Sequence, residues 1–102
     1  MKIYLSGPMR GVLDHNFPAF DAAATKLRSE GHIVFSPADG DRWLKLVRRE
    51  IVARECFELD TQWICRHADA IALLPGWKNS LGACAELALA IALGLEVIYL
   101  DV

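Results

Sequence analysis

The chain has 102 residues, of which 54% are apolar and 24% charged, and its net charge is -2 at neutral pH. This length predicts a single domain, large enough for a core of four or five strands. The small net charge and a pI near 5.8 provide no broad basic surface, which argues against nucleic acid as a partner. A mean hydropathy of +0.25 is high for a soluble domain, so we expect another subunit to cover some apolar surface.

The cysteines and the amino terminus favour the cytoplasm. Cys56, Cys65 and Cys84 are odd in number and lack C-x-x-C spacing, which fits free thiols better than disulfides. The first residues lack the basic-then-apolar pattern of a signal peptide. The longest nearly uncharged run, residues 81–95, contains Glu86 and is too short to span a bilayer. We therefore expect a cytoplasmic protein without a transmembrane segment.

Strand and helix patterns alternate from the first residue onward. "KIYLS" (2–6) is a β-rich run that ends at Gly7-Pro8. Asn16 is a suitable N-cap for a first helix with Pro18 in its first turn, and that helix is predicted to end at Gly31. "HIVFSP" (32–37) is the second predicted strand.

A long charged stretch, residues 41–67, follows the second strand. It carries apolar residues at helical spacing, which predicts one or two amphipathic helices; these residues are Val52, Cys56, Leu59 and Trp63. "AIALLP" (70–75) and "EVIYL" (96–100) are two further strands, and both are apolar enough to be buried on both faces. Between them, Ser80 to Gly94 forms a helix whose only charged residue is Glu86. This helix has no polar face, so we expect the sheet to cover one side and a second copy of the chain to cover the other.

The βαβαβαβ order of these elements predicts the fold class. We expect a single α/β domain over residues 1–102, with a three-layer Rossmann-like, flavodoxin-like arrangement. Its open parallel sheet should have four to five strands and helices on both faces. Ligands bind such sheets at the carboxyl ends of the strands. Three stretches are predicted to converge there: "SGPMRG", "SPADGD" and "PGWKNS".

Ser80, Gly82 and Glu86 form the first candidate site. Ser80 can cap its helix, and the backbone N–H groups of residues 81–83 would then offer an anion site. Gly82 lies one turn before Glu86, so a ligand such as a phosphorylated sugar could reach both the amides and the carboxylate. The alternatives are a simple N-cap beside a close-packed glycine, and a half-exposed glutamate stabilised by the helix dipole. The apolar neighbours of Glu86 count against the second alternative, because a carboxylate among them is costly unless it is paired.

Asp60, Tyr4 and Arg10 are further candidates. Asp60 shares a helical face with apolar residues, although a lone aspartate there is more often a cap or an ion-pair partner. Tyr4 could bond a buried carboxylate or simply the backbone. Arg10 could bind phosphate or be a solvated loop residue.

Motifs for other chemistries are missing from the sequence. The histidines at positions 15, 32 and 67 have no metal-ligand spacing, and neither G-x-G-x-x-G nor a G-K-[ST] loop occurs. We therefore expect no metal, no dinucleotide and no other cofactor.

Three stretches together resemble a known family. "IYLSGPMRG", "ELDTQWICRHADAIALL" and "SLGACAE...ALGLEVIYL" are similar to the nucleoside 2-deoxyribosyltransferase-like superfamily, especially its small phage and bacterial members and the deoxynucleoside 5'-monophosphate N-glycosidases. The resemblance covers nearly the whole chain. Its most specific element is S-x-G-x-x-x-E after a strand, preceded in order by an aspartate and an N-terminal Y-x-x-G.

The resemblance implies an enzyme that cleaves or transfers the base of a (deoxy)nucleoside 5'-monophosphate through a covalent intermediate. Glu86 would attack the anomeric carbon, Asp60 would assist departure of the base, and Tyr4 would orient Glu86. Substrate and phosphate contacts would come from five residues: Gly7, Arg10, Gly11, Ser80 and Gly82.

Two positions give opposite indications about binding of a 5'-phosphate: Ser80 favours it and Pro8 disfavours it. The nucleoside-transferring branch has an aspartate six residues before its nucleophile, whereas this chain has Ser80, which favours a nucleotide. The monophosphate hydrolases have a serine where this chain has Pro8, so a hydroxyl and an N–H are missing here.

The sequence leaves several points open. A non-catalytic nucleotide-binding or sensing module on the same fold is the alternative function, because a fold does not fix an activity. The identity of the base, and the choice between hydrolysis and transfer, are not determined. Contacts to the base are predicted near four residues in loops: Met9, Phe17, Trp43 and Trp77. A homodimer or higher oligomer is expected, with part of the site completed across the interface.

Overall fold

The computed structural model describes residues 1–47 and 53–100. Two short 3-10 turns, Leu13–Asn16 and Trp77–Asn79, interrupt the loops. The strands and helices are, in chain order, β1 (Lys2–Ser6), α1 (Phe17–Ser29), β2 (Ile33–Phe35), α2 (Pro37–Val47), α3 (Ala53–His67), β3 (Ala70–Leu73), α4 (Leu81–Ala92) and β4 (Glu96–Tyr99).

The four strands form one open parallel sheet in the order β2-β1-β3-β4. In register, Tyr4 of β1 lies beside Phe35 of β2 and Ile71 of β3. Parallel strands joined by helices, with β1 in the interior of the sheet, define a three-layer Rossmann-like α/β fold, as the sequence predicted.

Side chains of β1 alternate between the two faces of the sheet. Ile3 and Leu5 pack on one face against α1, through residues such as Phe20. Tyr4 packs on the other face with Ile64 of α3 and Ala90 of α4. This period-2 alternation places the polar side chains of β1 on the same face as α3 and α4.

The boundaries correct two predictions around β2. The strand ends at Phe35, and α2 begins at Pro37, so "SPADGD" is the start of a helix rather than a loop. Proline at the first helical position is favourable because its missing N–H has no partner there in any helix. The charged stretch forms two helices, as expected, although Val52 lies outside the described residues.

Burial also differs from the sequence pattern at two places. Leu59 was predicted to lie on the apolar face of α3, yet it is 46% exposed while Ile64 is buried. β3 is buried throughout, but β4 is an edge strand that is partly exposed, with Tyr99 60% exposed. The prediction of burial on both faces is therefore wrong for β4.

The segment between β1 and α1 has an unusual backbone. Asp14, His15 and Asn16 all have positive φ angles, 54°, 52° and 61°. Asn16 precedes α1, as predicted, but it does not cap the helix with its side chain; its Nδ2 donates to the carbonyl of Pro8 at 2.9 Å. This bond holds the loop after β1 against the start of α1.

Within the described residues, none of the helices combines the length and the apolar character needed to cross a bilayer.

Candidate active site

A cavity of about 780 Å³ opens at the carboxyl edge of the sheet. It is bounded by the loop after β1 and by α2, α3 and the first turns of α4. Its lining includes every site residue predicted from the sequence except Gly11: Tyr4, Gly7, Arg10, Asp60, Ser80, Gly82 and Glu86. Gly11 lies in the loop with a φ of +75°, which suits a turn residue.

Glu86 is held by two hydroxyl groups from β1. Tyr4 Oη donates to Oε2 and Ser6 Oγ donates to Oε1, each at 2.6 Å. Glu86 is only 7% exposed, and Tyr4 and Ser6 are buried. The two bonds fix the plane of the carboxylate, and each oxygen keeps a lone pair for another contact.

The protonation of Glu86 reflects a balance between burial and these bonds. Burial raises the pKa of its carboxyl group, and the hydrogen bonds from Ser6 and Tyr4 act in the opposite direction. Because the charged form is poorly solvated but well oriented, the group is suited to nucleophilic attack. The pairing also means that truncating Glu86 would leave two buried hydroxyls without their acceptor.

Asp60, on α3, is the second carboxyl group of the cavity. Burial raises its pKa to about 7, with further contributions from the charges of Glu86 and Asp41, while a hydrogen bond with Tyr4 opposes the shift. A phenol has only one proton, so Tyr4 donates to one carboxylate at a time. When Tyr4 donates to Glu86, it can only accept from Asp60, and this requires Asp60 to be protonated. Near neutral pH the pair can thus hold one ionised group and one acid.

Tyr4 is positioned by two aromatic neighbours. Its ring stacks on Phe35 of β2 at a centroid distance of 5.5 Å and lies 6.5 Å from the ring of Trp63 of α3. Burial, followed by the charges of Glu86 and Asp60, raises the pKa of its phenol well above the ordinary value. The hydroxyl therefore stays protonated and acts as an orienting group between the two carboxyls.

The first turn of α4 forms another side of the cavity. Ser80 caps the helix, since its Oγ accepts from the N–H of Ala83 at 3.1 Å. The prediction of three free amides is therefore wrong for Ala83, which leaves the N–H groups of Leu81 and Gly82 at the positive end of the helix. The Ser80 hydroxyl proton remains able to donate to a ligand.

Gly7 and Gly82 both line the cavity, but the space around their Cα atoms differs. A Cβ on Gly7 would lie 2.8 Å from Leu74 Cβ, so packing within the protein excludes a side chain there. A Cβ on Gly82 would meet only Ser80 Oγ, at 3.9 Å, which is an ordinary contact. Nothing in the packing of the described residues requires glycine at position 82, and the space beside it belongs to the cavity.

Arg10 and Arg54 are exposed cationic residues that line the cavity. Arg10 comes from the loop after β1, and Arg54 from the first turn of α3. Pro8 also lines the cavity and contributes no N–H donor. The positive groups near the mouth suit an anion, although with one backbone donor fewer than a non-proline loop would supply.

Sequence reasoning missed several polar residues of this cavity region, among them Arg54 and the three that lie closest to the two carboxyl groups: Ser6, Cys56 and Asp41. Ser6 could have been found, because it lies two residues after Tyr4 and therefore on the same face of β1. Cys56 lies four residues before Asp60, one turn away on α3, but was treated as part of an apolar stripe. Asp41 is the last residue of "SPADGD", which was predicted to reach this edge, but its own side chain was not identified as a candidate.

Only two of the four residues predicted near the base line this cavity. Met9 and Phe17 line the cavity. Trp43 is 61% exposed and is not among the lining residues, while Trp77 lines a separate cavity of about 720 Å³ beside Tyr99. Among the described residues, no group of three or more His, Cys, Asp or Glu side chains is arranged to hold a metal ion.

The fold and this cavity place the protein in the class of Rossmann-like α/β proteins that have a candidate site at the carboxyl edge of a parallel sheet. Residues 1–99 match the family described as "Domain of unknown function (DUF4406)", and the chain belongs to that family. No curated protein matches the chain. Because the family description names no activity, the resemblance to nucleoside 2-deoxyribosyltransferases stays a prediction.

Proposed function

We propose that the protein is an N-glycosidase that cleaves the base–sugar bond of a (deoxy)nucleoside 5'-monophosphate. The observation that supports this most strongly is the pairing of two different carboxyl groups in one cavity. Glu86 is oriented by two hydroxyl donors, and Asp60 has a pKa of about 7. Environments that separate the protonation of two carboxyl groups suit one as a nucleophile and the other as an acid.

In the proposed reaction, an oxygen of Glu86 attacks the anomeric carbon as the bond to the base breaks. The electron pair of that bond goes to the base, which takes a proton from Asp60. Water then attacks the same carbon, loses a proton to Asp60 and frees the carboxylate of Glu86. A second base in place of water would make the protein a transferase.

The anionic part of the substrate is proposed to lie at the start of α4. The N–H groups of Leu81 and Gly82, the Ser80 hydroxyl and Arg10 supply donors and positive charge for a 5'-phosphate. This placement puts the sugar between the phosphate and Asp60, beside Glu86.

A panel of substrates tests the proposal. The protein would be incubated with ribo- and deoxynucleoside 5'-monophosphates and the parent nucleosides, and free base would be measured by chromatography. We expect base release from monophosphates, and release from nucleosides lower by at least about tenfold because their phosphate contacts are missing. Equal rates would contradict the phosphate site. No release, together with a higher melting temperature in the presence of nucleotides, would favour the non-catalytic binding module instead.

Gly82→Ala is the variant that tests the phosphate site within this panel. Alanine should keep or raise the melting temperature, because glycine disfavours helices by roughly 0.5–1 kcal/mol. The new methyl group should obstruct the ligand and raise KM for monophosphates by about tenfold or more. Gly40→Ala is the matched control, because Gly40 lies in α2, outside the cavity lining, with no atom within 4 Å of an added Cβ. An unchanged KM in Gly82→Ala would contradict the placement.

The outer side of α4 supports a proposed homodimer. Leu81 is 90% exposed, Ile91 62% and Leu93 46%, and Tyr99 of the adjacent edge strand is 60% exposed. Exposed apolar residues grouped in this way are typical of an interaction surface. Because Leu81 also lines the cavity, a second copy that covers α4 would reach the mouth of the site and complete it.

Light scattering at micromolar concentration tests this proposal. We expect a dimer or higher oligomer, and we expect Ile91→Glu to dissociate it because a charge on the covered face would be desolvated. Ile33→Glu is the matched control, since Ile33 is also 62% exposed but lies on β2, the opposite edge strand. A monomeric wild-type protein would contradict the proposal.

A further inference from the structure

Several polar residues of the cavity have no role in the proposed bond cleavage. Two of them lie on neighbouring helices close to Asp60: Asp41, on α2, and Cys56, on α3. Cys56 and Asp41 line the same cavity, and the Asp41 carboxylate acts on the Cys56 thiol through its charge and as a hydrogen-bond acceptor. Burial and the charges of Asp41 and Asp60 raise the pKa of this thiol to about 11, so it is protonated at neutral pH. Cys56 is therefore a hydrogen-bond donor that orients Asp41 rather than a nucleophile.

The packing of the helices places Asp41 at one end of the cavity. Helix α3 contacts both α2 and α4. Asp60, on α3, is thus between Asp41 on α2 and Glu86 on α4, and the charges of both neighbours act on it. All of these groups line one cavity, and the helix contacts from α4 through α3 to α2 lead from the anion donors and Glu86 to Asp60 and then to Asp41.

This order can be compared with the parts of a nucleotide. If the phosphate binds at the start of α4 and the anomeric carbon lies at Glu86, the nitrogen of the broken bond would lie beside Asp60. The outer edge of the base, which carries its exocyclic groups, would then face Asp41. An ionised carboxylate accepts hydrogen bonds but cannot donate them, and its two oxygens offer about four acceptor positions, so it can keep its contacts within the protein and also accept from a ligand.

We propose that Asp41 is a specificity-determining residue that accepts a hydrogen bond from an exocyclic amino group, so the site takes amino-substituted bases in preference to their oxo counterparts. An oxo base has a carbonyl oxygen at the position of this amino group. With no proton between them, that oxygen and the carboxylate oxygen of Asp41 would repel each other. This inference rests on the proposed binding of a nucleotide with its base toward Asp41.

Matched substrates that differ at one exocyclic group test the inference. The values of kcat/KM would be measured for the deoxynucleoside monophosphates of cytosine and uracil, and of adenine and hypoxanthine. We expect the amino base of each pair to be preferred by at least about tenfold, because one specific hydrogen bond to a base edge typically changes discrimination by this order. In Asp41→Asn the preference should shrink, because the amide nitrogen can donate to a carbonyl oxygen.

Asp39→Asn is the matched control for this variant. Asp39 lies on the same helix, outside the cavity lining, and its carboxylate pairs with Arg28 and Arg42 at the surface. We expect this change to leave the ratio of the two kcat/KM values unaltered. If Asp41→Asn does not fold, the inference is tested by the preference of the wild-type protein for amino bases. The variants Cys56→Ala and Cys56→Ser then provide a second comparison. Alanine removes the donor that orients Asp41 and should reduce the preference, whereas serine keeps a donor and should retain it.

The outcomes separate this inference from the proposed function. Base release at equal rates from both members of each pair, or faster release from the oxo base, would overturn the role of Asp41 and leave the N-glycosidase intact. No release from any nucleotide, with amino nucleotides raising the melting temperature more than oxo nucleotides, would overturn the glycosidase and leave the recognition by Asp41. Neither release nor a selective thermal shift would overturn both.

Discussion

Substitution of Glu86 by glutamine is expected to abolish base release while leaving the protein folded. An amide cannot form the ester with the sugar, so kcat should fall by on the order of 10³-fold or more. The glutamine can accept from Tyr4 and donate to Ser6, whose hydroxyl is also an acceptor. Because burial disfavours the charge of Glu86, the melting temperature at neutral pH should be equal or higher.

The structure changes the expectation for Glu86→Ala. From the sequence, alanine would preserve or raise stability if Glu86 were a nucleophile in an apolar setting, and would lower stability if Glu86 were paired in the core. The structure shows that the carboxylate is paired with Tyr4 and Ser6. Alanine should therefore cost on the order of 1–3 kcal/mol by leaving both hydroxyls without an acceptor, whatever the catalytic role. For this reason glutamine is the better test of function.

A covalent trap tests the same residue directly. A 2-fluoro sugar nucleotide slows breakdown of the intermediate, so the intact mass of the wild-type protein should rise by one glycosyl unit, and that of Glu86→Gln should not. Glu58→Gln, at an exposed position of α3, is the control and should form the adduct. An adduct on Asp60 would mean that the two carboxyl groups have the opposite roles, and substantial activity in Glu86→Gln would rule out the nucleophile.

Asp60→Asn is expected to lower kcat by roughly 10²–10⁴-fold, which is the usual contribution of a general acid. In the wild-type protein the rate should fall as pH rises through about 7, because Asp60 loses the proton that it must give to the base. On the acid side the rate should fall as Glu86 becomes protonated, above the ordinary range for a glutamate because its pKa is raised. Asn at position 60 should remove the alkaline limb. A wild-type rate that is flat between pH 6 and 9 would contradict the assignment.

Asp60 should also affect the pH dependence of stability. Its pKa in the folded protein, about 7, is above the value of about 4 expected in the unfolded chain, so folding favours the protonated form. Its contribution is complete below pH 4 and is lost as pH rises through 7. Above pH 7, Asp60→Asn should therefore be more stable than the wild-type protein, as measured by denaturant unfolding, whereas the exposed Glu58→Gln should not differ from it.

The elements of the fold were largely predictable from local patterns. Short apolar runs bounded by glycine and proline gave all four strands, and the alternation with helices gave the parallel sheet. The predictions that were wrong concern features that depend on tertiary contacts, namely where an element begins and which of its sides is buried. "SPADGD" contains the first turn of α2 rather than a loop. Leu59 lies on the exposed side of α3, because helical spacing alone does not determine which side of a helix faces the sheet.

The candidate site was predictable residue by residue but not as a network. The sequence by itself determined that Glu86 and Asp60 are carboxyl groups among apolar neighbours, because such positions are costly unless they serve a purpose. It also determined that Ser80 begins a helix, since capping is a local interaction. Only the tertiary structure decided that Tyr4 and Ser6, more than 75 residues earlier, donate to Glu86, and that Asp41 and Cys56 lie beside Asp60. Those contacts join different strands and helices across the sheet face. Periodicity and capping describe one element at a time, whereas the packing of α2, α3 and α4 on β1 sets which polar groups share a cavity.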